Sequence, residues 1–170
     1  MRKGLDLALE AFAGMPEYEL LVCAPVDQEE DFRRAYAKEL YATPNIRTIG
    51  LIDVAGPQFL DIAGSCVGVL LASCAEGTAG SVITGMHAGL IPIVSYESGV
   101  DVHDFGILLK TCDVQDLREA IRTAAAFPTA QLEEKARRAW EYVRAFHTRE
   151  KYAEEFRTAI HTILATSSCR

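Results

Sequence analysis

Residues 74–95, CAEGTAGSVITGMHAGLIPIVS, decide the fold of this chain. An acidic residue, Glu76, begins a glycine-rich turn, and residues 81–88 then show a short helical pattern. The apolar runs on either side, VGVLLA at 67–72 and LIPIVS at 90–95, are typical of buried strands. Two apolar strands joined by a turn and a helix predict a unit of two parallel strands.

The same alternation extends in both directions along the chain. Because the strand runs are apolar on both faces, helices should cover both sides of the sheet. The sequence therefore predicts an α/β, doubly wound, Rossmann-like parallel sheet followed by C-terminal helices. Strands are predicted at 19–24, 45–50, 67–72, 90–95 and 105–109, and helices at about 4–14, 27–41, 57–63, 81–88, 113–126, 129–146 and 148–165, with Asp27 and Glu30 as a capping box.

The composition excludes several classes of protein. The 170 residues suggest one domain, and 17 basic against 24 acidic residues give a net charge of −7. Without a basic cluster, a nucleic-acid partner is disfavoured. The apolar runs are too short to cross a membrane, and the first residues do not resemble a signal peptide, so a cytoplasmic location is predicted.

Cysteine and histidine give no clear site. The five cysteines lack CxxC spacing, so we expect free, buried thiols rather than disulfides or zinc ligands. His103 lies between Asp101 and Asp104 in the segment DVHD, where a metal site is conceivable and a solvated loop is favoured.

The turn at Glu76 has the chemistry of a ligand site. In doubly wound folds, ligands bind beyond the carboxyl ends of the strands. A helix that begins at Gly80 and Ser81 offers free N–H groups to a phosphate, whereas the Glu76 carboxylate would repel a phosphate and should accept hydrogen bonds from hydroxyls. Phosphate and hydroxyls together describe a nucleotide-sugar. In the alternative interpretation, Glu76 caps the helix and the glycines only form a turn.

The segment 76–94, EGTAGSVITGMHAGLIPIV, resembles the family motif E-G-F-G-x-P-x-x-E-A-M-A-x-G-x-P-V-V. This motif belongs to the C-terminal half of the family 4 (group 1) retaining GT-B glycosyltransferases. Three further segments resemble motifs of the same family in the same order: Lys3-Gly4 followed by LDLALEAF, NIRTIGLI at 45–52, and FGILLKTCDVQDLREAI at 105–121.

The resemblance implies roles for individual residues. Glu76 would hold the hydroxyls of the donor sugar, and Lys3 would neutralise the departing diphosphate, although Lys3 is alternatively a frayed, solvated lysine. No metal or other cofactor is expected besides the nucleotide-sugar donor. The backbone of the loop would meet the diphosphate at Gly77, Thr78, Ala79, Gly80 and Ser81, and the base pocket would include Gly50 and Leu51.

Thr84 departs from the family pattern. It stands where the family has a second glutamate, which binds the nucleotide ribose. Threonine is shorter and uncharged, so bidentate recognition of the ribose is not expected here. The next residue, Gly85, replaces the usual alanine and lowers helix propensity. The affinity for the nucleotide, or the identity of the donor, is therefore in question.

The resemblance also implies a truncated chain. Residues 1–146 would form the donor-binding domain, and 147–170 a helix that in the family packs toward the N-terminal domain. That acceptor-binding domain, and the first, central strand of the donor domain, would precede Lys3. With the strand order 3-2-1-4-5-6, the strands at 19–24 and 67–72 should be separated by a gap. Alternatively, they pair directly, or another chain supplies the strand.

Two functions follow. In the first, the parent protein is a retaining hexosyltransferase that moves a sugar to a lipid-linked or saccharide acceptor in surface polysaccharide or glycolipid synthesis. It would be peripheral at the inner membrane face through its N-terminal domain, and this fragment alone would be inactive. In the second, the chain is a degenerate, non-catalytic GT-B module that serves as a binding or scaffold domain.

Overall fold

The computed structural model describes residues 3–167 and has an α/β fold of parallel strands with flanking helices, which confirms the predicted class. The strands are β1 (Leu20–Val22), β2 (Ile46–Thr48), β3 (Gly68–Leu71), β4 (Ile91–Val94) and β5 (Ile107–Leu108). The helices are α1 (Leu5–Ala13), α2 (Glu30–Ala35), α3 (Ala37–Ala42), α4 (Pro57–Gly64), α5 (Gly80–His87), α6 (Val114–Ala126), α7 (Thr129–Phe146) and α8 (Arg149–Ser167), with short 3-10 turns at Val26–Gln28 and Tyr96–Ser98.

The strands form two separate parallel sheets. One contains β1 and β2, and the other has the order β3-β4-β5. Within residues 3–167, β1 does not pair with β3, so the expected alternative in which these strands pair directly is wrong. Every residue of β4, which lies between two strands, is buried, whereas every residue of β3 is only half-buried. The split lies where the doubly wound order places its first strand.

Helix α1 packs against both sheets. Ala8 and Ala11 belong to a core cluster with Ile93 of β4 and residues of α6. Leu9 and Phe12, on the adjacent face of α1, belong to a second cluster with β1, β2 and α3. Ala8 and Ala11 are three positions apart and share one face of the helix, and Leu9 and Phe12 share the next. One helix therefore supplies two apolar faces, one to each cluster.

Helix α5 approaches β3 closely because Gly85 has no side chain. A Cβ atom at Gly85 would lie 3.0 Å from the Cβ of Val69. The neighbouring residues Val82 and Met86 are fully buried in a cluster with β4 and α7. Gly85 therefore lowers the intrinsic helix propensity, as expected, but permits the packing that places the N-terminus of α5.

The region of residues 25–42 differs from its prediction. Instead of one helix with a capping box, the chain makes a 3-10 turn at Val26–Gln28, and the N-cap of α2 is Glu29, without a side-chain capping bond. Val26 is fully buried, and burial of this residue displaces the start of the helix. The helix also breaks at Tyr36, whose hydroxyl donates a hydrogen bond to Glu10 at 3.0 Å.

The expectation of buried thiols was wrong. Cys23 and Cys74 are exposed, because they lie beyond the ends of β1 and β3, and Cys66 and Cys112 are partly exposed. Cys169 lies outside the described residues.

The last helix, α8, packs little against the rest of the chain. Its apolar side chains Tyr152, Phe156 and Ile160 recur every four residues and are exposed. No helix within residues 3–167 is long and apolar enough to cross a membrane. The expectation that this C-terminal helix packs toward another domain stays a prediction.

Because the sheet is split beside β3, successive backbone amides of β3 should alternate in their protection from hydrogen exchange. The carbonyls of Val67 and Leu71 accept hydrogen bonds from the N–H groups of Ile91 in β4 and of Ser95 directly after it, at 3.1 Å each. Since successive residues of a strand direct their N–H groups to opposite sides, the Val69 N–H points to β4 and the Leu70 N–H points toward the split. We expect the Leu70 amide to exchange with deuterium faster than the Val69 amide, as measured by NMR. Equal protection would indicate that the facing edge of β3 is paired in solution.

Candidate functional site

Glu76 lies just beyond the carboxyl end of β3. Its Oε1 atom accepts a hydrogen bond from the Ser73 hydroxyl at 3.0 Å and lies 2.6 Å from the Nζ of Lys3. The Glu76 side chain is 14% exposed and that of Lys3 is 59% exposed. Lys3 and Glu76, which the resemblance places in one site, are therefore in contact, and the carboxylate has a fixed position at the strand end.

A pair of buried serines joins the ends of β3 and β4. The hydroxyl of Ser95 donates a hydrogen bond to the Ser73 carbonyl at 2.5 Å, and both residues are buried. Ser73 thus connects β4 to the Glu76 carboxylate. Sequence analysis missed both residues, although each is the serine that follows an apolar run, in VGVLLAS and in LIPIVS.

The loop that contains Glu76 rests on the turn after β4. The N–H of Glu76 donates to the Glu97 carbonyl at 3.1 Å, and the N–H of Ala79 donates to the Ser98 carbonyl at 2.9 Å. Gly99 has φ 64°, and a Cβ atom there would lie 2.0 Å from the Gly77 carbonyl oxygen. The two loops are therefore in direct backbone contact, which the sequence analysis did not predict.

The N-terminus of α5 has no side-chain cap. Its N-cap residue is Ala79, and the Ala79 carbonyl accepts hydrogen bonds from the N–H groups of Val82 and Ile83, at 3.0 and 3.1 Å. In contrast, the Asp113 carboxylate caps α6 by accepting bonds from two backbone N–H groups. The first N–H groups of α5 thus lie at the strand end, where an anion would be favoured.

Thr84 lies one turn into α5 and is half-buried. Its hydroxyl donates a hydrogen bond to the Gly80 carbonyl at 2.8 Å. The hydroxyl proton is therefore used within the helix, and only the oxygen lone pairs remain for a ligand. No carboxylate stands at this position to receive two hydroxyl groups.

A cavity of about 590 Å³ lies beside Glu76. Its walls include three carboxylates, those of Glu76, Glu97 and Asp101, together with Tyr96 and His103. Lys3, through its contact with Glu76, supplies a positive charge next to these carboxylates. Such a cavity suits a ligand with several hydroxyl donors. The predicted loop residues Gly77, Thr78, Ala79, Gly80 and Ser81 do not line this cavity but form the adjacent loop and the start of α5.

A thiol also lies near this end of the sheet. Cys112 has φ 54°, and its Sγ donates a hydrogen bond to the Ala72 carbonyl at 3.5 Å. Burial, and then the charge of Glu97, raise the pKa of this thiol, so it stays protonated at neutral pH.

Gly50 and Leu51 lie just beyond the end of the other sheet. They follow β2, where Gly50 has φ 87° and donates a backbone bond to the Val22 carbonyl at 3.2 Å, and Leu51 is 73% exposed. Their assignment to a base pocket stays a prediction. The described residues contain no group of three His, Cys, Asp or Glu side chains that could hold a metal ion. The expectation that the donor binds without a metal ion stays a prediction.

Comparison with solved structures gives matches across nearly the whole chain. Sucrose-phosphate synthase from Thermosynechococcus elongatus superposes over 97% of this chain with a TM-score of 0.76 and 23% identity. The C-terminal domain of a glycosyl transferase group 1 family protein from Francisella tularensis superposes over 87% of this chain and 81% of its own, with a TM-score of 0.67 and 16% identity. The fold is that of a GT-B C-terminal domain.

A third match is Anabaena HepE, whose crystal structure contains UDP and glucose; it covers 83% of this chain, with a TM-score of 0.66 and 16% identity. The chain spans only 43% of the sucrose-phosphate synthase and 40% of HepE. No protein-family model matches the sequence, and no curated protein matches it. At these identities the comparison establishes the fold alone.

The contact between the two loops can be tested at Gly99. Gly99→Ala would strain a positive φ and also place a Cβ against the Gly77 carbonyl. Gly89→Ala is the matched control, because Gly89 has φ 86° but no atom within 4 Å of the added Cβ. Backbone strain should cost each variant about 1–2 kcal/mol of unfolding free energy, and we expect a further loss of about 1–3 kcal/mol for Gly99→Ala alone. Urea unfolding measures both; equal losses would contradict the contact.

Proposed function

We propose that this chain is the nucleotide-sugar-binding domain of a glycosyltransferase. The observation that carries the proposal is the Glu76 carboxylate, held by Ser73 and Lys3 at the end of β3, beside the uncapped N-terminus of α5. These two features attract different chemical groups. A donor that contains both a diphosphate and a sugar would satisfy both.

The acidic cavity is the proposed place for the sugar. Carboxylates accept hydrogen bonds and donate none when ionised, so Glu76, Glu97 and Asp101 favour hydroxyl groups over phosphates. The diphosphate would lie at the start of α5, where Gly80 and Ser81 expose backbone N–H groups. The glycines of this loop allow the close approach of the phosphate to the backbone.

Lys3 would take part in the transfer. Its ion pair with Glu76 is more than half exposed on the lysine side, and such pairs are weak. The ammonium group can therefore turn toward a diphosphate in the same site, where it would stabilise the negative charge that develops as the sugar leaves.

The wider proposal concerns the parent protein. We infer that it transfers a hexose with retention of configuration to a lipid-linked or saccharide acceptor, without a metal ion, and that an N-terminal domain binds this acceptor. The support is the sequence resemblance, together with the UDP and glucose in the structure of HepE, a protein of the same fold. Gly50 and Leu51 would contribute to the base pocket, and the chain alone would not catalyse transfer.

A second candidate function is that of a non-catalytic module with the same fold. Thr84 favours it, because the hydroxyl of Thr84 donates to Gly80 within the helix and offers no charge to a ribose. A module that has lost its donor would retain the fold and the loop contacts but would not bind nucleotide-sugars. Binding measurements distinguish the two functions.

Calorimetric titration with UDP-glucose, GDP-mannose and ADP-glucose tests the donor site. We expect one of them to bind, and Glu76→Gln to weaken it about 10- to 100-fold, because hydrogen bonds to a charged group contribute about 1.5–3 kcal/mol. Glu17→Gln, a change at an exposed residue remote in sequence from the site, is the control and should leave the affinity unchanged. If no nucleotide-sugar binds, the non-catalytic module is the better description.

Thr84→Glu tests the ribose position. If Thr84 faces the nucleotide, a carboxylate there should accept two ribose hydroxyls and tighten binding about tenfold. The matched control is Thr123→Glu on α6, because the Thr123 hydroxyl also donates to the carbonyl four residues earlier, at 2.8 Å. Titration of both variants with the same donor measures the effect. Unchanged affinity in both would show that Thr84 does not meet the ribose.

A further inference from the structure

A second cavity, of about 710 Å³, lies between the segment that follows β4 and the C-terminal half of α7. One wall contains Asp101 and His103, and the other contains Arg138, Glu141, Tyr142 and Phe146. The sequence favours a solvated loop for the DVHD segment. In the structure, this segment forms one side of a groove, which we call the α7 groove.

Aromatic rings form the floor of the α7 groove. The ring centroid of Tyr142 lies 5.0 Å from that of His103 and 5.0 Å from that of Phe146. Tyr142 also packs 5.4 Å from Phe105, which is 3% exposed and anchors the cluster in the core. Phe146 is 55% exposed, so part of this aromatic surface is open to a ligand.

Most of the charged side chains of the groove form ion pairs between a carboxylate and a guanidinium group. Arg138 pairs with Asp104, and Glu141 pairs with Arg137. Asp101 accepts a hydrogen bond from the Tyr142 hydroxyl at 3.4 Å. Burial, and then the charge of Asp101, raise the pKa of Tyr142, so its hydroxyl remains a hydrogen-bond donor and acceptor.

This balance selects the class of ligand. Asp104 and Glu141 each have an arginine partner, so a polycation would have to compete with Arg138 and Arg137 for them, whereas a neutral ligand would not. A saccharide is neutral, and it presents hydroxyl groups at its edges and C–H groups on its faces. Carboxylate and guanidinium groups bind the hydroxyls, and an exposed aromatic ring packs against the C–H face.

The α7 groove adjoins the cavity beside Glu76, because Asp101 and His103 line both. We infer that the α7 groove binds a saccharide, oriented with one end at the Glu76 cavity. Its role as the sugar acceptor rests on the proposed function, in which Glu76 holds the donor. The site lies on this domain, so part of acceptor recognition would come from the same chain as donor binding.

NMR titration of the 170-residue chain with maltotriose, mannotriose and chitotriose tests the inference. We expect saturable amide shifts confined to residues 99–106 and the C-terminal half of α7 for at least one of them, with a dissociation constant of about 1 mM. Phe146→Ala and Asp101→Asn, both at exposed positions, should weaken this binding at least about fivefold.

Phe156→Ala on α8 is the matched control. Phe156 is 54% exposed, against 55% for Phe146, and packs on an aromatic neighbour, Tyr152, with ring centroids 6.0 Å apart. The inference is overturned if no trisaccharide shifts the groove, if both phenylalanine variants weaken binding equally, or if only a tetra-arginine peptide shifts the groove. Donor binding without saccharide binding overturns this inference and leaves the proposed function intact; saccharide binding without donor binding supports the groove and overturns the donor site.

Discussion

The contact between the backbone of Gly77 and that of Gly99 is the constraint on which the candidate site depends. A side chain at Gly99 would occupy the position of the Gly77 carbonyl oxygen, so the two loops can touch only because this residue is glycine. The proximity allows two backbone hydrogen bonds, from the N–H of Glu76 to the Glu97 carbonyl and from the N–H of Ala79 to the Ser98 carbonyl. They fix the start of α5 relative to the carboxylate. The site is thus assembled from two loops by backbone atoms, while Ser73 and Ser95 align the strands beneath them.

Much of the fold could be predicted from the sequence because burial dominates it. Each predicted strand contains an observed one, and α5, predicted at 81–88, runs over Gly80–His87. Apolar periodicity detects burial but not the partner that covers a residue. The break at Tyr36 coincides with a contact to Glu10, twenty-six residues away, and the missing capping box coincides with the burial of Val26. Neither contact leaves a local signal.

The candidate site was predictable only in part, for a related reason. Glu76 could be located because it follows an apolar run and begins a glycine-rich turn that resembles a family motif, and the structure places Lys3 beside it. The backbone contact between Glu76 and Glu97 could not be located, because the carbonyl that makes it could come from any residue. The bond from Thr84 to Gly80 depends on a choice between side-chain rotamers that helical threonine leaves open.

The position of α1 between two core clusters has a consequence for unfolding. The cluster with β1 and β2 and the cluster with β4 and α6 share this helix but no strand pairing within residues 3–167. Strand pairing makes sheet regions cooperative, so we expect the two parts to open as separate units. They are connected by side chains of α1, by Ile121 of α6, and by Leu20 and Leu70, which pack against both clusters. Because it is built on two strands of only three residues, we expect the part with β1 and β2 to open at the lower denaturant concentration. Glu76 and α5 belong to the other part, so we expect the strand end at Glu76 to retain its structure through that first opening.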